Sequence, residues 1–595
     1  METLQAERPL PPARPSRTDG LTRRLRSLLD PRHAVLLVVA VIVAYLALVP
    51  VGTMIVASLK SSFLSNGPSS WTLHNYVSTF TSDGFGQLVG NSFGYAAAVA
   101  VVAVALGFGL AWLVARTNTP FKGFAHLAAL VPLVLPGILN TVAWGLLLSP
   151  RTGPLNIALH DLHLGTFNVY SLAGMVLVQS IHMTPVAFLM GVAAFSTMDS
   201  SLEEAALSSG IPPLRVVRTI TFRLVRPAIV SALLLIFIQT ISNFEVPQLL
   251  GVPGHIFVFV SKIYNALNAF PTDYGTVGVI GVMVLLIAAI GVWLAQRTIR
   301  RSRAQTITGK NFRPTVTDIG RWRWAGLAAF VLFFIIAVVL PVAMLVWSSL
   351  LRVYQAPSAA ALKQLTFSNY SAILSTASLV SALENSVILA VSAGVIVTVI
   401  CSLVAYITVK TKIRGRGLLD GLTTVPIAVP SIILGVGVLY WYLAAPLPFH
   451  LYGTLAILLL AFVTIGLPYG LRYMTPAMAQ VKDELEEAAT ASGATWLQAF
   501  RRIYLPLLAS ALLASFLYTM IVAFREISAA VFLYSPKTQV ISVEIYNLWS
   551  NGSYPVVAAL GIVLLVVLAV LILLARIVAS RFGVGGKNLF QGGQQ

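Results

Sequence analysis

Long apolar runs separated by short polar stretches occupy nearly the whole chain. Twelve runs reach ~20 residues, the length a helix needs to cross a bilayer core. The first six lie near 34–57, 91–115, 125–148, 171–195, 227–248 and 275–296. The other six lie near 325–349, 385–408, 419–444, 454–477, 508–531 and 555–578. Hydrocarbon offers backbone groups no partner, so runs of this length are expected to be helical. Residues 1–33 are rich in Pro and Arg and read as a basic tail, whose Arg23–Arg26 stretch is placed to touch anionic lipid. A first unit is expected over 34–300, a basic linker over 301–324, a second unit over 325–580 and a polar tail over 581–595. The run beginning at Ala34 is too long for a signal-peptide core, so it reads as a retained anchor.

The two sets of six are copies of each other. Thr72-Leu73-His74-Asn75-Tyr76 answers to Thr366-Phe367-Ser368-Asn369-Tyr370, and Asn91-Ser92 to Asn385-Ser386. Arg116 answers to Lys410, Pro132 to Pro426 and Pro136 to Pro430, each 294 residues on. Past Glu204 the offset is 283, so the first half carries extra residues between, most simply in the loop near Arg151–Tyr170. A parallel repeat of this kind predicts two six-helix units fused in one chain. The fold class expected is all-α membrane protein.

Composition changes one inference. A length of 595 residues would ordinarily suggest several soluble domains, but 57% hydrophobic residues, 10% charged residues and a mean hydropathy of +0.86 exclude that. The net charge of +19 does not point to nucleic acid, because the basic residues cluster in alternate loops. With the N-terminus inside, the outer loops hold only Lys60, Arg151, Lys262, Arg352, Lys363 and Lys537 of 39 basic residues. Both termini are then cytoplasmic. Cys401 stands alone in an apolar run, which excludes an intrachain disulfide and a cysteine metal cluster and suggests a packing role.

One polar stretch occurs twice with identical internal spacing. Glu204-Ala205-Ala206, Gly210 and Ile220 are matched by Glu487-Ala488-Ala489, Gly493 and Ile503, every pair 283 residues apart. Ser200 before Glu203, and Asp483 before Glu486, are spaced as helix caps. Gly210 and Gly493 suit a left-handed stop, after which Pro212, or Thr495 with Trp496, opens a second segment. An ordinary polar loop explains one copy; two copies without an insertion point to a built helix–turn–helix.

The second copy resembles the EAA loop of the permease subunits of ABC importers at every position of E-A-A-x3-G-x9-I-x-L-P, ending in Ile503-Tyr504-Leu505-Pro506. The first has Phe222 and Arg223 in place of the final Leu-Pro, with Pro227 following, which leaves its angle of re-entry open. The resemblance implies a type I importer fold and two copies of an ATP-binding cassette subunit docked on these loops. It also implies a solute-binding protein on the outer side and a bacterial inner-membrane location. It places ATP and Mg on the partner subunits, with no cofactor or metal in this chain.

No catalytic motif is present. Gly309-Lys310 lacks the upstream glycine and the Ser/Thr of a phosphate loop, so uphill transport would draw on another subunit or an ion gradient. The informative intramembrane charges are Glu245, in Asn243-Phe244-Glu245-Val246-Pro247, and Arg525 with Glu526, in Phe524-Arg525-Glu526-Ile527-Ser528. Charges at such depth usually face a bundle interior or an aqueous path. They read as residues of the path or its outer gate, as a pair, Arg525 with a glutamate, that ties the halves, or as charges at the outer interface. His182 reads as a core histidine, and Tyr469 and Arg472 as interfacial anchors.

Ser242–Gly254, Ile307–Lys310 with Gly320–Trp324, Phe524–Pro536 and Ile545–Trp549 resemble fused permeases of the ferric-iron importer type, over nearly the whole chain. Relatives of that type for aminoalkylphosphonate, thiamine and polyamine keep the substrate open. A rival of another class is an ion-coupled secondary transporter of the major facilitator kind. It requires an Asp-Arg loop between spans two and three, which Arg116–Lys122 lacks. A membrane-embedded enzyme or scaffold is disfavoured by the missing catalytic constellation.

Overall fold

The computed structural model describes residues 31–61, 63–64, 69–198, 201–303, 316–444 and 451–581. Among them the chain is helical apart from two isolated bridges, Lys60 with Trp71 and Thr117 with Thr317. Nine helices are long and apolar enough to cross a membrane, and three bent helix pairs bring the total to twelve if each pair is one span. The bent pairs correct the expectation of simple crossings. Lys122–Leu133 with Gly137–Leu147 turns through 92°, and Arg416–Ala428 with Ser431–Ala444 through 106°. The cause is the repeated proline pair. Pro136 and Pro430 lack an N–H and push the preceding residue toward extended backbone, as Val429 shows at φ −100°, ψ 117°.

The fifth and eleventh spans also end early. Helices stop at Ile241 and Phe524; Arg525 and Glu526 lie on non-helical backbone just beyond, and Glu245 opens the next helical segment, which continues as the π-helix Pro247–Gly251. There the two halves repeat one local device. Asn243 Oδ1 accepts from the Val246 N–H at 3.1 Å, and Glu526 Oε1 from the Ala529 N–H at 3.1 Å.

The repeated sequence pairs perform repeated work. Asn75 donates to the Ser58 and Lys60 carbonyls, and Asn369 to those of Ser349 and Leu351. Ser92 Oγ accepts from the Phe259 N–H and Ser386 Oγ from the Ile541 N–H. Asn91 and Asn385 donate to the Phe257 and Gln539 carbonyls. Each half thus ties its first and fifth connections to its own helix frame through side chains legible as a repeat.

The halves interlock rather than abut. Helix Pro31–Ser58 of the first packs on Ser431–Ala444 of the second, and Leu340–Ser349 of the second on Gly137–Leu147 of the first. Thr53 Oγ1 donates to the Gly437 carbonyl at 2.8 Å, and a β-carbon on Gly437 would lie 2.2 Å from the Pro50 oxygen. Tyr354 reciprocates from the second half, donating to the Leu146 carbonyl at 2.7 Å. Cys401 is buried and donates to the Leu467 carbonyl, a packing residue as expected. The extra residues of the first half include a helix, Pro154–Asp161, pinned by Asn156 to the carbonyls of Leu148 and Phe167. Helix Tyr274–Arg303 runs past residue 300, where the first unit was expected to end. Residues 1–30, half of the linker including Lys310, and 582–595 lie outside the described residues.

Candidate functional site

Both Glu-Ala-Ala stretches are short helices, Ser201–Ser208 and Glu484–Ala491, each followed by a glycine with positive φ. Gly210 stands at +80° and Gly493 at +81°, with open space where a β-carbon would go. Backbone conformation alone requires glycine there. In both elbows the same face is turned outward: Leu202, Glu204 and Ala205 in the first, Leu485, Glu487 and Ala488 in the second. Ala206 is buried and Ala489 half-buried, so one alanine of each pair packs inward.

What holds each elbow is the glutamate before the motif. Glu203 is buried and forms an ion pair with Arg116 at the end of helix Phe85–Arg116, and it accepts from the Thr221 hydroxyl. Glu486 accepts from the hydroxyls of Tyr406 and Tyr504, each at 2.6 Å. Thr221 and Tyr504 both close five-residue π-helical turns, Val217–Thr221 and Phe500–Tyr504, at matching places in the repeat. The expected Asp483 cap is absent: its carboxylate goes to Lys410 Nζ at 2.5 Å, and Glu486 is drawn to the tyrosines. Ser200 lies outside the described residues. Thr495 does open the second segment, in a reciprocal capping box with Gln498. The angle of re-entry differs between copies. Val217–Ile241 continues as one span, whereas Trp496–Leu507 and Ala509–Phe524, with Pro506 at the junction, meet at 76°.

Glu245, Arg525 and Glu526 all line one cavity of about 270 Å³ between the halves, floored by Pro426–Ser431. Arg525 donates from Nη1 to the Leu133 carbonyl at 2.9 Å, across the interface. Among the described residues it forms no ion pair with either glutamate, which corrects the paired reading. The Glu245 carboxylate instead accepts from Asn243. His182 and Tyr469 also line the cavity, so neither is the core or interfacial residue expected, while Arg472 is exposed. Both were hidden by position, since each sits beside a helix proline, Pro185 or Pro468, amid apolar neighbours.

Two stretches, 103–304 and 394–584, match the family described as binding-protein-dependent transport system inner membrane component. The chain belongs to this family. It is an inner-membrane permease subunit of an ABC importer, with the repeat units fused, and has the type I importer transmembrane fold. The chain is 26% identical over 82% of its length to the ferric transport system permease protein FbpB of Actinobacillus pleuropneumoniae, covering 70% of that protein. Over 37% of its length it is 28% identical to the sulfate transport system permease protein CysT of Salmonella typhimurium, covering 84% of it. Over 35% it is 24% identical to the spermidine/putrescine transport system permease protein PotC of Escherichia coli K12, covering 78% of it.

Aromatic residues from both halves of the permease pack together next to Glu245, beginning with Phe244. Tyr264 and Tyr546, which occupy matching places in the repeat, meet edge to face at 5.7 Å. Phe244 packs on both at 5.5 and 5.6 Å, and Phe532 on Tyr264 at 5.8 Å. Sequence reasoning missed this cluster and the tethering pairs. For the tethers a signal existed: both copies read Glu-Glu-Ala-Ala, and the cation that ends the second span recurs as Arg116 and Lys410.

Proposed function

We propose that this permease subunit carries ferric iron, or a ferric complex, inward through the cavity bearing Glu245, Arg525 and Glu526, driven by ATP hydrolysis on two partner subunits. ATP and Mg bind those partners, and no cofactor or metal resides in this chain. The carrying observation is the pair of elbows. Each presents a Leu, a Glu and an Ala outward on a helix ended by a left-handed glycine, and each is fastened behind that face to the second span of its half. An exposed apolar and acidic tip on a rigid root suits a docking element better than a solvated loop. Glu204, Ala205, Ala206, Gly210, Glu487, Ala488, Ala489 and Gly493 are then the coupling residues, on the cytoplasmic side with both termini. A solute-binding protein docks at the opposite end. Closure of the ATPase pair pulls both roots, the halves rock, and the aromatic cluster parts.

Iron is favoured because the ferric relative aligns across both fused units, while the sulfate and polyamine relatives, matched over most of their own length, align with about a third of the chain. Two carboxylates to one guanidinium in the cavity also suit a cation better than sulfate. A polyamine fits that charge equally well. The test is purification with the ATPase subunits at two copies per chain, followed by uptake of radiolabelled iron or spermidine into vesicles. Glu204→Ala and Glu487→Ala should each lower binding-protein-stimulated ATPase activity without loss of insertion, the second more than the first. Uptake without any ATPase, driven by an ion gradient, would overturn the reading.

A further inference from the structure

Three elements of the first half bring Gly137, His182 and Glu245 to the cavity wall. About one turn further along each element, away from the elbows, stands a buried polar side chain: Asn140, Gln179 and Gln248. They are 3%, 1% and 7% exposed. Among the described residues, Asn140 Nδ2, Gln179 Nε2 and Gln248 Oε1 have no hydrogen-bond partner. The three elements converge here. At the cavity, a β-carbon on Gly137 would lie 3.0 Å from Glu245 Oε1. Beyond the polar residues, one on Gly145 would lie 3.4 Å from Leu250 Cδ2, and one on Gly251 3.0 Å from Met175 Sδ. The polar trio is therefore bracketed between the cavity and an apolar seal.

The second half lacks this feature. Its cavity-lining counterparts of Gly137, His182 and Glu245 are Ser431, Ile465 and Ser528, all of which line the cavity too. One turn on, the counterparts of Asn140, Gln179 and Gln248 are Leu434, Phe462 and Val531, buried and apolar. The cavity is shared; the polar extension is not. A buried amide without a partner is costly, and apolar residues demonstrably fill the equivalent place in the same fold. Tyr264 and Tyr546, one from each half, pack edge to face beside this region.

We propose that Asn140, Gln179 and Gln248 form a hydrated seam of neutral amides, and that cargo passes between the far end and the cavity through the first half. Neutral donors and acceptors there would exchange with the water or oxygen ligands around a cation without trapping it as carboxylates would. Gln248 already joins the seam to the aromatic cluster, since its Nε2 donates to the Tyr546 hydroxyl at 3.0 Å. This inference rests on the reading of the cavity as the path.

The test uses the full complex with its ATPase subunits in a Cys401→Ala background. Single cysteines are placed at Asn140, Gln179 and Gln248, at the counterparts Leu434 and Phe462, and at Ser528 in the cavity. A water-soluble cationic methanethiosulfonate should label the three seam cysteines at least tenfold faster than those at Leu434 and Phe462. Equal rates at seam and counterparts, with Ser528→Cys reactive, overturn the seam alone. An unreactive Ser528→Cys overturns the path reading and the seam with it. Labelling needs no cargo, so failure of the ferric assignment leaves this arm intact. In a second arm, Asn140→Leu with Gln179→Leu should cut uptake about tenfold while stimulated ATPase activity persists. The Leu434→Val control should leave uptake unchanged. Unaltered uptake in the double variant overturns the route. Should a variant fail to fold, the single Gln248→Leu substitution carries the same comparison.

Discussion

The two elbows share backbone, glycine and outward face, yet they are rooted by different chemistry. The first depends on an ion pair: Arg116, 1% exposed, against Glu203, with Thr221 adding one hydroxyl. The second gives Glu486 to two tyrosine hydroxyls, and its cation Lys410 reaches Asp483, whose side chain is 77% exposed. The counterpart of Asp483 is Ser200, and the cation of the first half pairs with Glu203 instead. Duplicated positions thus keep a job, fastening the elbow to the second span, while the partners exchange. Sequence identity between the copies understates how alike the roots are in geometry and overstates how alike they are in energy.

That difference should be exposed by one substitution made in both copies. Glu203→Gln leaves Arg116 a buried cation without its counter-charge, a loss of about 3–5 kcal/mol when one member of a buried pair is removed. Glu486→Gln keeps an acceptor for one tyrosine and removes the charge from a pair of charge-assisted hydrogen bonds, so the expected loss is about 1.5–3 kcal/mol. Thermal unfolding of the purified complex should rank them in that order. Equal shifts would mean that the Arg116 pair is not the root of the first elbow. Asp483→Asn, at an exposed partner, should cost no more than about 1 kcal/mol.

The glycines mark where the elbows should behave alike. Gly210→Val and Gly493→Val both force a β-branched residue to a φ near +80°, where neither meets a neighbour. The penalty is backbone strain, about 1–2 kcal/mol at each site. Insertion should survive in both, with stimulated ATPase activity reduced to a similar extent. A defect confined to Gly493→Val would show that one elbow dominates coupling despite matching geometry.

Much of this was legible in the chain because it rests on residue types that physics restricts. Gly210 and Gly493 announced left-handed turns, and the match of Asn75 with Asn369 announced a repeated element, though not the hydrogen-bonded corner it builds. Length and apolarity located the spans, but the broken ones escaped, although Pro136 and Pro430 carried the signal. A run of apolar residues reads the same whether its helix is straight or turns through 92° at a proline. The cavity was half legible. Charges such as Glu245 and Arg525 stand out against hydrocarbon, whereas His182, Tyr469 and the amides Asn140 and Gln179 are polar residues that cores routinely absorb. Whether Arg525 meets a glutamate or a carbonyl depends on how two halves interlock, and no periodicity within one half encodes that.

The smallest expected difference lies where each chain leaves its elbow. Thr495 caps the segment Trp496–Ala499 through its hydroxyl, and Gln498 returns the bond to the Thr495 N–H at 2.9 Å. The matching residues in the first elbow are Pro212 and Arg215, and the first segment is opened by proline instead. Proline has a preset φ but no N–H for a side chain to satisfy, and arginine offers no acceptor. Thr495→Ala should therefore destabilise the second elbow by about 1 kcal/mol, the usual worth of such a cap. Thr495→Pro should be partly tolerated, because proline also suits a helix start, although Gln498 Oε1 then loses its donor. Pro212→Thr alone should gain less than the Thr495 cap contributes, since only the hydroxyl half of the box is supplied. Adding Arg215→Gln completes it, and the increment should then approach the Thr495→Ala loss with opposite sign. Hydrogen exchange at residues 215–219 reads this locally, and unchanged protection in the double variant would show that the first segment is held by its π-helical turn rather than by its start.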